Sequence, residues 1–67
     1  MNFKSWILKF KDVNLPIGDL AREIYPDSNF PTTSDKQEIY NYLKNTNACD
    51  EILEIFDHAF DYYFKTL

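Results

Sequence analysis

Glycine is nearly missing from this chain: Gly18 is the only one in 67 residues. A phosphate cradle needs several glycines so that backbone N–H groups can close on the ligand. Neither a P-loop nor a dinucleotide fingerprint can therefore be written here. Cysteine and histidine are as scarce. Cys49 cannot form an intramolecular disulfide by itself, and with His58 as the only imidazole there are too few donors for a closed zinc site. No nucleophile elbow and no H-E-x-x-H run occurs. Long apolar runs are missing too, since nothing approaches the roughly 20 residues that span a bilayer. The longest run near the start, Trp6-Ile7-Leu8, is too short for the core of a signal peptide, and we expect a cytoplasmic protein. Basic residues are outnumbered, seven against eleven acidic, for a net charge of −4. That balance opposes non-specific attraction to DNA and to anionic membranes.

Aromatic residues are abundant. Twelve of them make up 18% of the chain, within 45% hydrophobic residues overall. Each can bury roughly 150–250 Å², an ample core supply for a chain this short. The composition excludes a disordered tail and predicts one small domain over residues 1–67. Its charge is uneven. Residues 1–12 carry Lys4, Lys9 and Lys11 against Asp12; residues 47–67 carry Lys65 against Asp50, Glu51, Glu54, Asp57 and Asp61. The start is mildly basic and the end strongly acidic. The plain reading is two solvated faces; the sharper one is a bipolar surface that docks on its own copy or on a basic partner.

Punctuation at Leu15-Pro16-Ile17-Gly18, Tyr25-Pro26, Phe30-Pro31-Thr32-Thr33-Ser34 and Asn45-Thr46-Asn47 divides the chain into four helix-length pieces. In the first, about Phe3 to Lys11, Phe3, Trp6, Ile7 and Phe10 share one helical face, with Lys9 and Lys11 in the last turn. In the second, about Ile17 to Ile24, Ile17, Leu20, Ala21 and Ile24 form the apolar face, and Pro26 stops the helix at Tyr25. Residues 25–33 are irregular, with Phe30 tucked against the helices. The third piece, about Asp35 to Lys44, opens with a Ser34–Gln37 capping box and turns Ile39, Tyr42 and Leu43 inward. The fourth, about Ala48 to Lys65, has Asn47 as its N-cap and is the spine. Its residues Ile52, Ile55, Phe56, Ala59, Phe60, Tyr63 and Phe64 form an unbroken stripe over more than three turns. The other pieces are too short to be stable alone and must pack on it.

The opening Phe3-Lys4-Ser5-Trp6, then Leu20-Ala21-Arg22-Glu23-Ile24, Asp27-Ser28-Asn29-Phe30-Pro31 and Ile39-Tyr40-Asn41-Tyr42-Leu43, and finally Phe56-Asp57-His58-Ala59-Phe60-Asp61-Tyr62-Tyr63 resemble the YozE-type SAM-like family of small bacterial proteins. The resemblance covers nearly the whole chain. One departure is Phe60, where relatives often carry Trp. It implies an all-α, compact four- to five-helix SAM-like orthogonal bundle with a long C-terminal helix as spine. It carries no established biochemical activity with it.

Each residue that could carry chemistry has a plainer alternative. His58 shares a helix face with Glu54 and Asp61, a geometry for a metal ligand or a carboxylate-oriented base; the alternative is a solvent-facing histidine beside acids. Asp57 is a partner-binding carboxylate, or it caps a neighbouring helix or pairs with a cation such as Arg22. Cys49 lies near a helix N-terminus that favours a thiolate, while Asp50 and Glu51 oppose it; the role of a buried or half-buried small apolar residue suits it better. Lys4, Lys9 and Lys11 with Trp6 and Phe10 are either a nucleic-acid patch or the solvated flank of core aromatics. Lys36, Tyr40, Lys44 and Tyr62 are an interface surface, or tyrosines lying flat over the core. We expect no cofactor and no metal. The leading expectation is a non-enzymatic interaction module that binds an unknown protein or itself through Lys4, Lys11, Tyr40, Glu51, Glu54, Asp57, Asp61 and Tyr62. The alternatives are a nucleic-acid-associated regulator, and an acidic inhibitor whose last helix imitates phosphate charge on a basic groove. An enzyme resting on His58 ranks below these.

Overall fold

The computed structural model describes residues 2–46 and 48–66. Four α-helices lie among them: α1 (Phe3–Ile7), α2 (Pro16–Ile24), α3 (Lys36–Asn45) and α4 (Asp50–Lys65), with a 3-10 turn at Leu8–Phe10. No strand occurs among the described residues, and the fold is an all-α bundle. Its Cα radius of gyration is 10.6 Å, close to the about 11 Å expected of a folded chain of this length.

Local chemistry explains each helix boundary. Asn2 caps α1: its side-chain oxygen accepts the Ser5 N–H at 2.8 Å. The helix is shorter than its apolar spacing predicts, because the chain tightens into the 3-10 turn after Ile7. Lys9 and Lys11 therefore do not sit in its last turn. The tightening turns the Lys11 and Val13 carbonyls toward α2, where the Arg22 guanidinium donates to them at 2.7 and 3.2 Å. Arg22 is also ion-paired with Asp19. Pro16 occupies the first turn of α2, where its missing N–H is harmless. Pro26 ends α2 as anticipated, but Tyr25 keeps helical dihedrals (φ −52°, ψ −47°) and donates its N–H to Ala21. The helical path thus runs one residue further than the pre-proline rule suggests, and stops where Pro26 lacks the next donor.

The capping box at Ser34 does not form. Asp35 is the N-cap of α3, its carboxylate accepting the N–H groups of Gln37 at 3.0 Å and Glu38 at 3.4 Å. A carboxylate both caps and complements the helix dipole, so it is the stronger acceptor here. Ser34 instead meets the Tyr63 hydroxyl at 3.0 Å, while the Gln37 amide donates along the helix to Asn41. Asn47, the expected cap of α4, lies outside the described residues; the N-cap position belongs to Cys49, which makes no side-chain capping bond.

One contiguous core joins all four helices. Phe3 is its hub, fully buried, with the rings of Phe56, Phe60, Tyr63 and Trp6 centred 5.3, 5.4, 5.5 and 5.8 Å away. α2 adds Leu20, Ala21 and Ile24, and α3 adds Ile39 and Leu43. Phe30 is buried, as its place in a polar loop implied. The segment that carries it is fixed by Asp27. One oxygen of that carboxylate accepts the Asn29 N–H at 3.0 Å and the other accepts the Tyr42 hydroxyl at 2.6 Å. α4 is the spine, with Phe56, Ala59, Phe60 and Tyr63 buried. Its stripe is not all interior, however: Phe64 is 69% exposed. At about 100° per residue Phe64 lies at the border of the buried arc, beyond the reach of α1.

Candidate interaction surface

The outer side of α4 follows from its sequence. With Phe56, Ala59, Phe60 and Tyr63 turned inward, Glu51, Glu54, Asp57 and Asp61 must share the opposite arc. All four are exposed. They are not equivalent. Lys36, in the first turn of α3, places its ammonium 2.6 Å from Asp57 and 4.0 Å from Asp61. The hydrogen bond and the positive charge of Lys36 hold the Asp57 carboxyl below the usual carboxylate range. Reciprocally, the hydrogen bond to Asp57, reinforced by the charges of Asp57 and Asp61 and only partly offset by desolvation, raises Lys36 above the ordinary lysine value. Asp57 therefore pairs with a cation, but with Lys36 and not with Arg22, which is committed to the α1–α2 turn. Glu51 and Glu54 have no ion-pair partner among the described residues.

The remaining candidates are dispersed. Lys4 is half-buried on α1. Lys11 is also half-buried, 3.6 Å from Asp12 and 5.0 Å over the Tyr25 ring. Tyr40 is half-buried, its ring 6.5 Å from that of Phe56, and so lies against the core. Tyr62 is 59% exposed and rests edge-on to Trp6 at 6.2 Å. The eight residues do not make one patch: Glu51, Glu54 and Tyr62 belong to the free surface of α4, while Asp57 and Asp61 are tied to α3. Cys49 is exposed, not buried; Ala48 is the half-buried residue that packs on the core instead. His58 is exposed, and no group of three or more His, Cys, Asp or Glu side chains among the described residues is arranged to hold a metal. No helix among them is long and apolar enough to cross a membrane.

Two features were missed by the residue patterns. One is an apolar cleft between the start of α2 and α4, lined by Pro16, Ile17, Ile55, His58, Ala59 and Tyr62. The half-stripe Ile52, Ile55, Tyr62 was the signal, since it runs along one edge of the buried face. The other is the pin between Asp27 and Tyr42. The hydrogen bond to Asp27, with partial burial, holds the Tyr42 hydroxyl above the usual phenol range. Here a short-range Asp-x-x-Phe-Pro motif has a long-range purpose, fixing the loop to α3.

The family of the YozE SAM-like fold matches residues 2–65 of the chain. The chain belongs to this family. No curated protein and no solved structure gives a significant match. In this YozE SAM-like chain the matched span takes in every helix and both clefts that open on α4. The motif residues have structural partners here: Asp27 holds Tyr42, Phe30 fills the core, and Asp57 holds Lys36.

Proposed function

We propose that this chain is a non-catalytic module of the cytoplasm that works by binding another protein. One observation supports it above the rest: α4 has more apolar surface than the bundle covers. Its surplus emerges at Tyr62 on one border of the buried face and at Phe64 on the other. Exposed aromatic side chains on a regular helix suit protein contacts. Imitation of phosphate charge is less well supported, because Lys36 offsets one of the two charges in the Asp57–Asp61 half of the acidic arc. The net charge of −4 weighs against direct DNA binding.

The test is affinity capture on the purified chain from its native lysate, with and without nuclease, followed by identification of the bound species. A protein retained after nuclease treatment is the expected result. Retention of nucleic acid alone, or of nothing, overturns the reading.

A further inference from the structure

We infer that the seam between α2 and the outer edge of α4 receives a basic amphipathic helix from a partner protein, an inference that rests on the module reading above. The seam has two openings. At one end is the apolar cleft of about 170 Å³ between Pro16 and Ile17 of α2 and Ile55, Ala59 and Tyr62 of α4. At the other end, where the end of α2 meets α3 and the start of α4, a cleft of about 410 Å³ is lined by Glu23 and Ile24 of α2, Leu43 of α3, Cys49 just before α4 and Ile52 within it. From Ile52 to Tyr62 the α4 axis rises about 15 Å, the length of a ligand helix of roughly ten residues. Such a helix presents apolar residues at i, i+3 or i+4, and i+7 to a groove of this kind.

Charge selects the occupant. Glu51 lies one turn before Ile55, rotated by only about 40° around α4, so it stands on the rim of the apolar cleft. Glu54 is on the same outer side, and Glu23 faces the second opening from α2. All three are exposed, and none has an ion-pair partner among the described residues. His58 lines the apolar cleft itself, and Lys65 lies one turn beyond Tyr62. The ligand's positive residues therefore belong toward Glu23 and Glu51, and its apolar anchor toward Tyr62. A second copy of this chain fits poorly. Its lysine-bearing start carries Lys4 and Lys9, but the apolar residues beside them, Phe3, Trp6 and Ile7, are buried in its own core. Among the described residues its freest apolar helix surface, Tyr62 and Phe64 of α4, carries one lysine, Lys65, against five carboxylates on the same helix, so it would meet Glu23, Glu51 and Glu54 with like charge.

The experiment titrates the full chain with a synthetic amphipathic helix of about 14 residues. The peptide carries leucines at helical spacing with lysines and arginines along one flank, and a scrambled peptide of equal composition serves as control. Nitrogen–proton NMR shifts map the site and calorimetry gives the affinity. Expected are shifts centred on Ile55, Ala59 and Tyr62. The scrambled peptide, the Glu51→Lys/Glu54→Lys variant and Tyr62→Ala should each bind at least about tenfold more weakly. Phe64→Ala, on the other border of α4, should stay within about twofold. Circular dichroism confirms that the variants are folded, as the exposure of these side chains permits. Equal binding of the scrambled peptide, indifference to both seam variants, or no binding overturns the inference. So does self-association by light scattering that Tyr62→Ala abolishes. If a protein captured from lysate still binds the Glu51→Lys/Glu54→Lys variant and Tyr62→Ala, the module reading survives and the seam assignment falls. If nothing is captured, the module reading itself fails.

Discussion

Along α4, the inner face and the edge toward α2 are built from the same kinds of residue and end in different environments. Phe56, Phe60 and Tyr63 are enclosed by Phe3 and Trp6, ring against ring. Ile52 and Ile55 are only half-buried and Tyr62 is mostly in water. Helical phase decides which residues are enclosed. A bundle whose first helix is five residues long can wrap one arc of a sixteen-residue spine, and the apolar residues beyond that arc are left for something else. Stability should therefore reside on the inner face, and binding on the edge.

The sharpest way to break this division is to remove the hub. Phe3→Ala deletes a fully buried ring with four aromatic neighbours and should cost about 3–5 kcal/mol. A domain of this size has little more than that in total, so the variant should be largely unfolded by circular dichroism at room temperature. Tyr62→Ala, by contrast, should move the urea midpoint by no more than about 0.5 kcal/mol equivalent. Comparable losses for the two would show that the edge is part of the core after all.

Gly18 tests the other wall of the seam. Replacing a helical glycine by alanine ordinarily gains up to about 1 kcal/mol, and less in a first turn, where Gly18 lies. Here a Cβ would run into the Val13 carbonyl oxygen and lie 3.0 Å from that of Phe10. These are backbone atoms and the Val13 oxygen is also held by Arg22, so they cannot yield cheaply. The clash wins, and Gly18→Ala should destabilise by about 1–3 kcal/mol in urea unfolding. It should also shift α2 against α4, so the NMR signals of Ile17 and Ile55 should move before those of Phe60.

The inner face was legible in the sequence because its signal is periodic and local. Phe56, Ala59, Phe60 and Tyr63 repeat at helical spacing, and burial follows from the repeat. Phe64 continues the same repeat and is exposed, because a repeat states which residues share a face and not how far a neighbouring helix extends over it. The caps show the same limit. Ser34 and Asp35 are both good N-cap residues one position apart; the Asp35 carboxylate takes the cap, and Ser34 meets the hydroxyl of Tyr63, twenty-nine residues away. Lys36 on Asp57 and Tyr42 on Asp27 are likewise meetings of distant segments that no local spacing encodes. The cleft at Ile17 and Ile55 needs two helices to exist at all. Asp35→Ala measures the cap that was chosen: it should cost about 1 kcal/mol, where Ser34→Ala costs less.

The smallest effect concerns the third side of α4, where the edge toward α3 is closed by ions and not left open. Asp57 has a folded-state value below its unfolded one of about 3.9. Its pairing with Lys36 is fully present above that unfolded value and is lost as pH falls through the lower folded one. Lys36 is raised above about 10.4, so its share is present below that value and is lost as pH rises through the still higher folded one. Both side chains are substantially exposed, at 40% for Lys36 and 55% for Asp57, and solvent screens them. The melting temperature of Asp57→Asn should accordingly sit slightly below that of the parent across neutral pH and converge with it as pH falls through the lowered folded-state value. The same convergence should appear at neutral pH in molar salt. A gap that persists in acid would mean that Asp57 acts through its shape and not its charge. The α3 edge would then be held by packing, as the inner face is, and the contrast between a closed ionic edge and an open apolar one would have to be redrawn.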